Sequence, residues 1–186
     1  MKKIVAILAG DPDSINSELI AKVWKKKQKF KNINIFIIGN LNLISRQFGI
    51  LNIKINVKKV LNLNFEDLYE SLFIYDVPLN FKNPFKVNNK TKAKYLIKCF
   101  EIAIKLTKLK KIHGFINCPV NKKDIFKSDQ GVTEFLARKS NILGKEAMII
   151  FNKKLSVCPI TTHIKIKEVS KNLTKRIIYD KVKTIN

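Results

Sequence analysis

Residues 4–8 read Ile-Val-Ala-Ile-Leu, and the turn sequence Gly10-Asp11-Pro12 follows them after one alanine. A short, continuous apolar run of this kind is typical of a strand that is covered on both faces. Residues 33–38, Ile-Asn-Ile-Phe-Ile-Ile, form a second run, apolar except for Asn34, that ends at Gly39. These two runs predict neighbouring buried strands at the start of an α/β fold.

Segments of helical spacing separate the predicted strands. Leu19, Ile20, Val23 and Trp24 recur at intervals of a helix, which Ser14 or Ser17 can cap. Residues 53–57 alternate strictly between apolar and polar side chains, which indicates a half-exposed strand. This βαβαβ order predicts a mostly parallel sheet flanked by helices.

The remaining segments differ in how clearly they indicate structure. Residues 62–89 mix Asn, Pro and aromatic side chains without a clean period, so loops and short edge elements are expected there. Further elements are predicted as a helix over 91–109, a strand over 114–117, a helix over 133–140, an antiparallel hairpin of 148–151 with 155–160, and helical structure over 167–185. We expect a first α/β domain over residues 1–120 and the start of a second, incomplete one over 121–186.

Composition narrows the classes of function. The 186 residues are 46% hydrophobic, which suffices for a core, and their net charge is +23. All but three of the 37 basic residues are lysines, and they are spread over every segment, so we expect a solvated lysine surface and no specific nucleic-acid partner. The apolar runs are too short to cross a membrane, and the three cysteines form no C-x-x-C pair. We therefore expect a cytoplasmic protein with reduced thiols.

Three short stretches carry side chains suited to ligand binding. Thr161-Thr162-His163 follows the apolar run 155–160, at the end of a predicted strand where open α/β sheets place their ligands. Gly131-Val132-Thr133-Glu134 opens a predicted helix, and Thr133 is either a helix cap or a substrate contact, or both. Cys118-Pro119-Val120-Asn121-Lys122 follows a predicted strand, where Asn121 and Lys122 are either a solvated turn or a binding site for phosphate or carboxylate. His113 has no such context and is expected to be structural.

Together with Gly10-Asp11-Pro12, these stretches resemble the N-terminal part of the 4-hydroxythreonine-4-phosphate dehydrogenase family of pyridoxal-phosphate biosynthesis. The resemblance implies the two-domain fold of isocitrate and isopropylmalate dehydrogenases, a homodimer, and a small phosphorylated substrate that is oxidised with NAD and decarboxylated. It implies that His163 is a ligand of a divalent metal (Zn, Mg or Co) and that Thr133, Asn121 and Lys122 contact the substrate. It does not assign catalytic or NAD-contacting residues to this chain.

The chain departs from the family's motifs at two places. Val132 stands where the family has a substrate-contacting histidine, and valine can neither donate a hydrogen bond nor take a proton. Asp13 to Ser17 fill the place of a glycine-rich stretch, and no G-x-G-x-x-G motif occurs. One histidine cannot complete a metal site, and the family's other metal histidines lie beyond residue 186, so we expect a truncated form. The alternatives are a dehydrogenase for a related four-carbon phosphorylated hydroxy acid and a non-catalytic remnant.

Overall fold

The computed structural model of the chain describes residues 2–61, 71–121, 125, 131–162 and 164–186. It divides the chain into two compact units, Met1–Asp129 and Gln130–Asn186. No helix among the described residues is both long enough and apolar enough to span a bilayer.

A five-stranded sheet forms the centre of the first unit. Its strands are β1 (Lys3–Leu8), β2 (Ile33–Gly39), β3 (Val57–Lys59), β4 (Leu72–Asp76) and β5 (Gly114–Asn117). Their order across the sheet is β3-β4-β2-β1-β5, and every pair is parallel. The helices between them are α1 (Asn16–Lys25), α2 (Leu41–Ile50) and α3 (Asn89–Lys108), and a 3-10 turn, Lys27–Phe30, follows α1. The predicted parallel α/β sheet is confirmed.

The apolar runs of the sequence form the central strands because both faces of the sheet are covered. Ala6, Leu8, Phe36, Ile37 and Ile38 each expose 1% of their surface or less. Burial of each leucine, isoleucine or phenylalanine side chain among them contributes roughly 1.5–3 kcal/mol. The apolar runs over residues 4–8 and 33–38 therefore form the centre of the core of this unit.

The segment over residues 62–89 differs from the prediction of loops and edge elements. Its residues 72–76 form β4, which lies inside the sheet between β3 and β2. Leu72 and Ile74 are fully buried there, while Phe73, Tyr75 and Asp76 are half-buried. A five-residue strand that ends in an aspartate is too short to show a clear period in the sequence. Its interior position results from its pairing with β2 on one side and β3 on the other.

The strand predicted over residues 53–57 begins only at Val57. Ile53 and Ile55 instead pack against the hydrophobic core from outside the sheet. The alternating apolar side chains of this segment are thus covered by the core, although the segment itself pairs with no strand until Val57.

The predicted serine cap of the first helix is wrong. Ile15 is the residue before α1, and no side-chain hydrogen bond caps the helix. The Ser17 hydroxyl donates to Oε1 of Gln47, and the Ser14 hydroxyl lies 3.5 Å from Oδ1 of Asn16. Ser17 therefore joins α1 to α2, and Ser14 contacts the first residue of α1, so both hydroxyls are used in contacts that compete with capping.

The described residues of the second unit form three helices and a minimal hairpin. The helices are α4 (Val132–Lys139), α5 (Ile166–Asn172) and α6 (Lys175–Ile185). Ile150 and Val157 form one antiparallel bridge with two backbone hydrogen bonds of 2.8 and 2.9 Å. The predicted hairpin is present in this reduced form, and the predicted helical tail is broken into two helices at Leu173 and Thr174, because Leu173 is extended and Thr174 caps α6.

Candidate functional site

The order of the strands reverses between β1 and β5, and this is where open α/β sheets bind ligands. The turns that follow these two strands meet at this point. The Asp11 N–H donates to the Pro119 carbonyl at 3.1 Å, and Nδ2 of Asn16 donates to the same carbonyl at 2.9 Å. Gly10-Asp11-Pro12 and the segment around Pro119 are therefore one connected structure.

Gly10 makes this close approach possible. Its φ is +73°, and a Cβ placed there would lie 2.5 Å from Nδ2 of Asn16 and 2.7 Å from the Pro119 carbonyl oxygen. The space beside Gly10 is thus filled by the protein's own atoms, and the turn offers no open backbone cradle for a pyrophosphate group. The described residues around this turn do not fit NAD.

A buried ion cluster that the sequence analysis missed connects α3 to the same turn. The Lys92 ammonium lies 3.0 Å from Oδ2 of Asp13 and 3.4 Å from Oδ1 of Asp11, and Lys92 and Asp11 are both buried. The Val87 N–H, just before α3, donates to Oδ1 of Asp13 at 2.9 Å. The available signal was the position of Lys92, three and four residues before Tyr95 and Leu96 on the apolar face of the helix.

Cys118 follows β5 with its thiol packed into the core. Burial raises the pKa of this thiol to about 11, so it stays protonated near neutral pH and is not a nucleophile. Asn121, a predicted substrate contact, is exposed three residues later. Lys122, the other predicted contact in this stretch, lies outside the described residues.

The second unit brings two of the predicted stretches together. Thr133 and Thr162 line the same cavity of about 50 Å³, and both residues are exposed. Gly131 precedes α4 without a side-chain cap, and Thr133 is the second residue of the helix, so Thr133 is not its cap. Its hydroxyl is thereby left for another contact.

Charged side chains complete the lining of this cavity. Glu134, Glu146 and Lys181 all take part in it. Oε2 of Glu134 and Oε2 of Glu146 are buried, yet neither has a hydrogen-bond partner among the described residues. The Lys181 ammonium donates to the Glu146 carbonyl oxygen. Buried polar atoms are normally paired, so two unpaired carboxylate oxygens in one cavity are suited to receive a cationic or hydrogen-bond-donating group.

The metal site expected from the resemblance rests on His163, which lies outside the described residues. Among the residues that are described, no three His, Cys, Asp or Glu side chains are grouped closely enough to hold a metal ion. The described residues alone therefore do not fit a metal. His113 is structural, as predicted, because its Nδ1 accepts the Ile4 N–H at 3.1 Å and joins the start of β5 to β1.

The chain is similar in sequence to a family of dehydrogenases that act on small phosphorylated compounds. Residues 31–186 match the family model described as "Pyridoxal phosphate biosynthetic protein PdxA". A 4-hydroxythreonine-4-phosphate dehydrogenase of Sulfurihydrogenibium is 34% identical over 98% of this chain and 56% of its own length. A D-threonate 4-phosphate dehydrogenase of Pectobacterium atrosepticum is 24% identical over 100% of this chain and 57% of its own length. The chain thus spans little more than half of these relatives.

A solved structure is similar over nearly the whole chain. It is a 4-hydroxythreonine-4-phosphate dehydrogenase from Klebsiella pneumoniae, with a TM-score of 0.83 and 22% identity, covering 98% of this chain and 57% of that one. At this identity the similarity concerns the fold alone. This chain therefore has the fold of little more than half of that dehydrogenase.

Proposed function

The chain belongs to the family of the pyridoxal phosphate biosynthetic protein PdxA, and from this we propose that it acts in the oxidation of 4-hydroxythreonine 4-phosphate. The proposed reaction is oxidation of the substrate's secondary alcohol by NAD, followed by loss of carbon dioxide, in pyridoxal 5'-phosphate biosynthesis. NAD, when bound, supplies the hydride acceptor. None of the described residues is assigned to NAD or to the divalent metal, for which His163 stays the candidate ligand. A homodimer likewise stays a prediction.

The observation that carries this proposal is the cavity shared by Thr133 and Thr162. Its volume of about 50 Å³ accommodates a single functional group of a substrate together with a few waters. The two threonine hydroxyls can donate to or accept from a hydroxyl or phosphate oxygen. The unpaired carboxylate oxygens of Glu134 and Glu146 suit the ammonium group that a threonine derivative carries. We infer that this cavity receives the amino end of the substrate.

A second candidate function is the oxidation of D-threonate 4-phosphate, which has a hydroxyl where 4-hydroxythreonine 4-phosphate has its ammonium group. It is favoured by the similarity to a D-threonate 4-phosphate dehydrogenase and by Val132, which stands in place of the family's substrate-contacting histidine. The two unpaired carboxylates favour the amino substrate over this one, because a cation gains more from a buried carboxylate than a neutral hydroxyl does.

Binding and turnover test the proposal separately. Calorimetric titration with 4-hydroxythreonine 4-phosphate is expected to show binding that Thr133→Val weakens by about 5-fold to 150-fold, the equivalent of about 1–3 kcal/mol. Thr184→Val is the matched control, since the Thr184 hydroxyl donates to the Asp180 carbonyl within its own helix. Equal weakening by both variants would contradict a role for Thr133 in the site.

Substrate preference tests the role of the carboxylates. Glu134→Gln and Glu146→Gln are expected to weaken binding of 4-hydroxythreonine 4-phosphate more than that of D-threonate 4-phosphate. Formation of NADH with added zinc or magnesium then distinguishes a dehydrogenase from a non-catalytic remnant, which would bind the substrate without turnover. Val132→His introduces the hydrogen-bonding side chain that the family has at this position. It is expected to strengthen binding of whichever of the two phosphorylated compounds is the substrate.

A further inference from the structure

A groove of about 530 Å³ lies in the first unit at the carboxyl end of β4. The segment that leaves this strand forms one wall, and the N-terminal half of α3 forms the other. The lining residues are Pro78, Leu79, Asn80, Lys90, Thr91, Lys94, Tyr95 and Lys98. Its volume is in the range of small-molecule binding sites, about 300–1,000 Å³, and the carboxyl edge of a parallel sheet is where such sites occur.

Three lysines follow the length of this groove. Lys90, Lys94 and Lys98 are spaced by one helical turn, so they share one face of α3 and span about 12 Å along it. All three are exposed, and their ammonium groups make no ion pair or hydrogen bond with any residue that the structure describes. Like charges at this spacing destabilise a helix, so the row has a cost that a bound anion would offset.

No acidic side chain compensates these charges within the groove. Its described lining contains no Asp or Glu. The aspartate that ends β4, Asp76, is engaged elsewhere: it pairs with Lys59 at 3.6 Å and accepts the Leu41 N–H at 2.9 Å. The groove therefore differs from a lysine surface with mixed charges, because its positive potential is concentrated along a concave wall.

Neutral groups in the groove add hydrogen-bonding capacity. Asn80 and Thr91 supply an amide and a hydroxyl on opposite walls. Thr91 lies in the first turn of a 20-residue helix, whose dipole favours negative charge at this end. Lysines over a length of about 12 Å exceed what one phosphate needs and match a longer phosphoanion.

We propose that this groove binds an anion that carries at least two linked phosphate groups, such as a diphosphate. The groove shares no residue with the cavity of Thr133 and Thr162, so the proposal does not depend on the substrate site proposed above. A free diphosphate and the diphosphate of a dinucleotide present the same chemistry to the three lysines.

The test compares two triple variants of equal charge in calorimetric titrations with pyrophosphate and with inorganic phosphate. Lys90→Gln, Lys94→Gln and Lys98→Gln together remove the groove's charges. Lys22→Gln, Lys25→Gln and Lys29→Gln remove three exposed charges from α1 and the 3-10 turn. We expect pyrophosphate to bind more tightly than phosphate, and the groove variant to weaken it about tenfold or more while the control variant leaves it within about twofold.

Equal weakening by both variants would overturn the proposal, because it would show that pyrophosphate senses only the net charge. Equal affinity for pyrophosphate and phosphate would overturn it as well. Competition by NAD for bound pyrophosphate would assign the groove to a dinucleotide, and lack of competition would assign it to a free diphosphate. Gln keeps the helix propensity of Lys, and circular dichroism checks that both variants fold.

Discussion

Lys92 is a buried cation that pairs with two carboxylates from the turn after β1. Replacing it by Met leaves the carboxylates of Asp11 and Asp13 without their cation, and loss of one member of such a buried cluster costs about 3–5 kcal/mol. We expect Lys92→Met to lower the free energy of unfolding by about this amount in urea denaturation. Lys94→Met, at an exposed position two residues away, serves as the control and should change it by less than about 0.5 kcal/mol. Comparable losses in the two variants would mean that the ion cluster contributes no stability.

The reactivity of each cysteine depends on how deeply its own thiol is buried. Burial raises the pKa of Cys99 to about 12 and that of Cys118 to about 11, from an ordinary value of 9.0, whereas Cys158 is only half-buried. Because the thiolate is the nucleophile, iodoacetamide should alkylate Cys158 well before the other two in the native protein, as followed by peptide mass spectrometry. Early alkylation of Cys118 at neutral pH would contradict this packing.

The same pKa shifts have a consequence for stability. The native pKa values lie above the unfolded value, so the two protonated thiols stabilise the native state below about pH 9. This contribution is lost as the pH rises through about 11 to 12. The direction of the effect is therefore destabilisation by alkali.

At the scale of elements, the Tyr95 phenol joins α3 to the residue that caps α2. The Asn40 N–H donates to Oη of Tyr95 at 3.0 Å, and the Asn40 side chain caps α2 by accepting the Leu43 N–H. Desolvation by burial raises the pKa of Tyr95 well above its ordinary value, so the phenol stays neutral. Tyr95→Phe leaves a buried N–H unpaired and should lower the free energy of unfolding by about 1–3 kcal/mol.

Tyr75→Phe is the matched control for that measurement. Tyr75 lies in β4, and its hydroxyl makes no hydrogen bond with the part of the chain that the structure describes. Its replacement should leave the urea midpoint nearly unchanged. A similar midpoint shift in both variants would show that the bond to Asn40 does not stabilise the protein.

At the scale of the whole molecule, the two units differ in how much apolar surface they bury. Among the described residues of the second unit, Ala137 alone belongs to the buried hydrophobic core, while Ile150, Phe151, Leu155 and Ile166 are each more than 60% exposed. Amides in structure with few buried contacts open at low free energy. We expect hydrogen exchange, measured by mass spectrometry, to be faster in α4, α5 and α6 than in β1, β2 and β4. Equal protection in the two units would contradict this difference.

Part of this architecture was predictable from local sequence. The apolar runs at residues 4–8 and 33–38 and the helical spacing between them indicate a parallel sheet, since strand and helix periods are properties of neighbouring residues. The family was predictable too, because its motifs are short, contiguous stretches such as Gly131 to Glu134. As site residues, Thr133, Asn121, Lys122 and His163 all stay predictions, as do the NAD and metal dependence.

Tertiary structure alone decided the features that depend on residues far apart in the chain. The sequence near β4 does not reveal its place between β2 and β3, because that place depends on which strands it pairs with. The pairing of Lys92 with Asp11 and Asp13, and the cavity that unites Thr133 with Thr162, join positions tens of residues apart. The periodicity of a sequence indicates which face of a helix or strand is covered, whereas the tertiary fold determines which residues cover it. For this reason the strands and helices could be predicted, and the environment of the charged side chains could not.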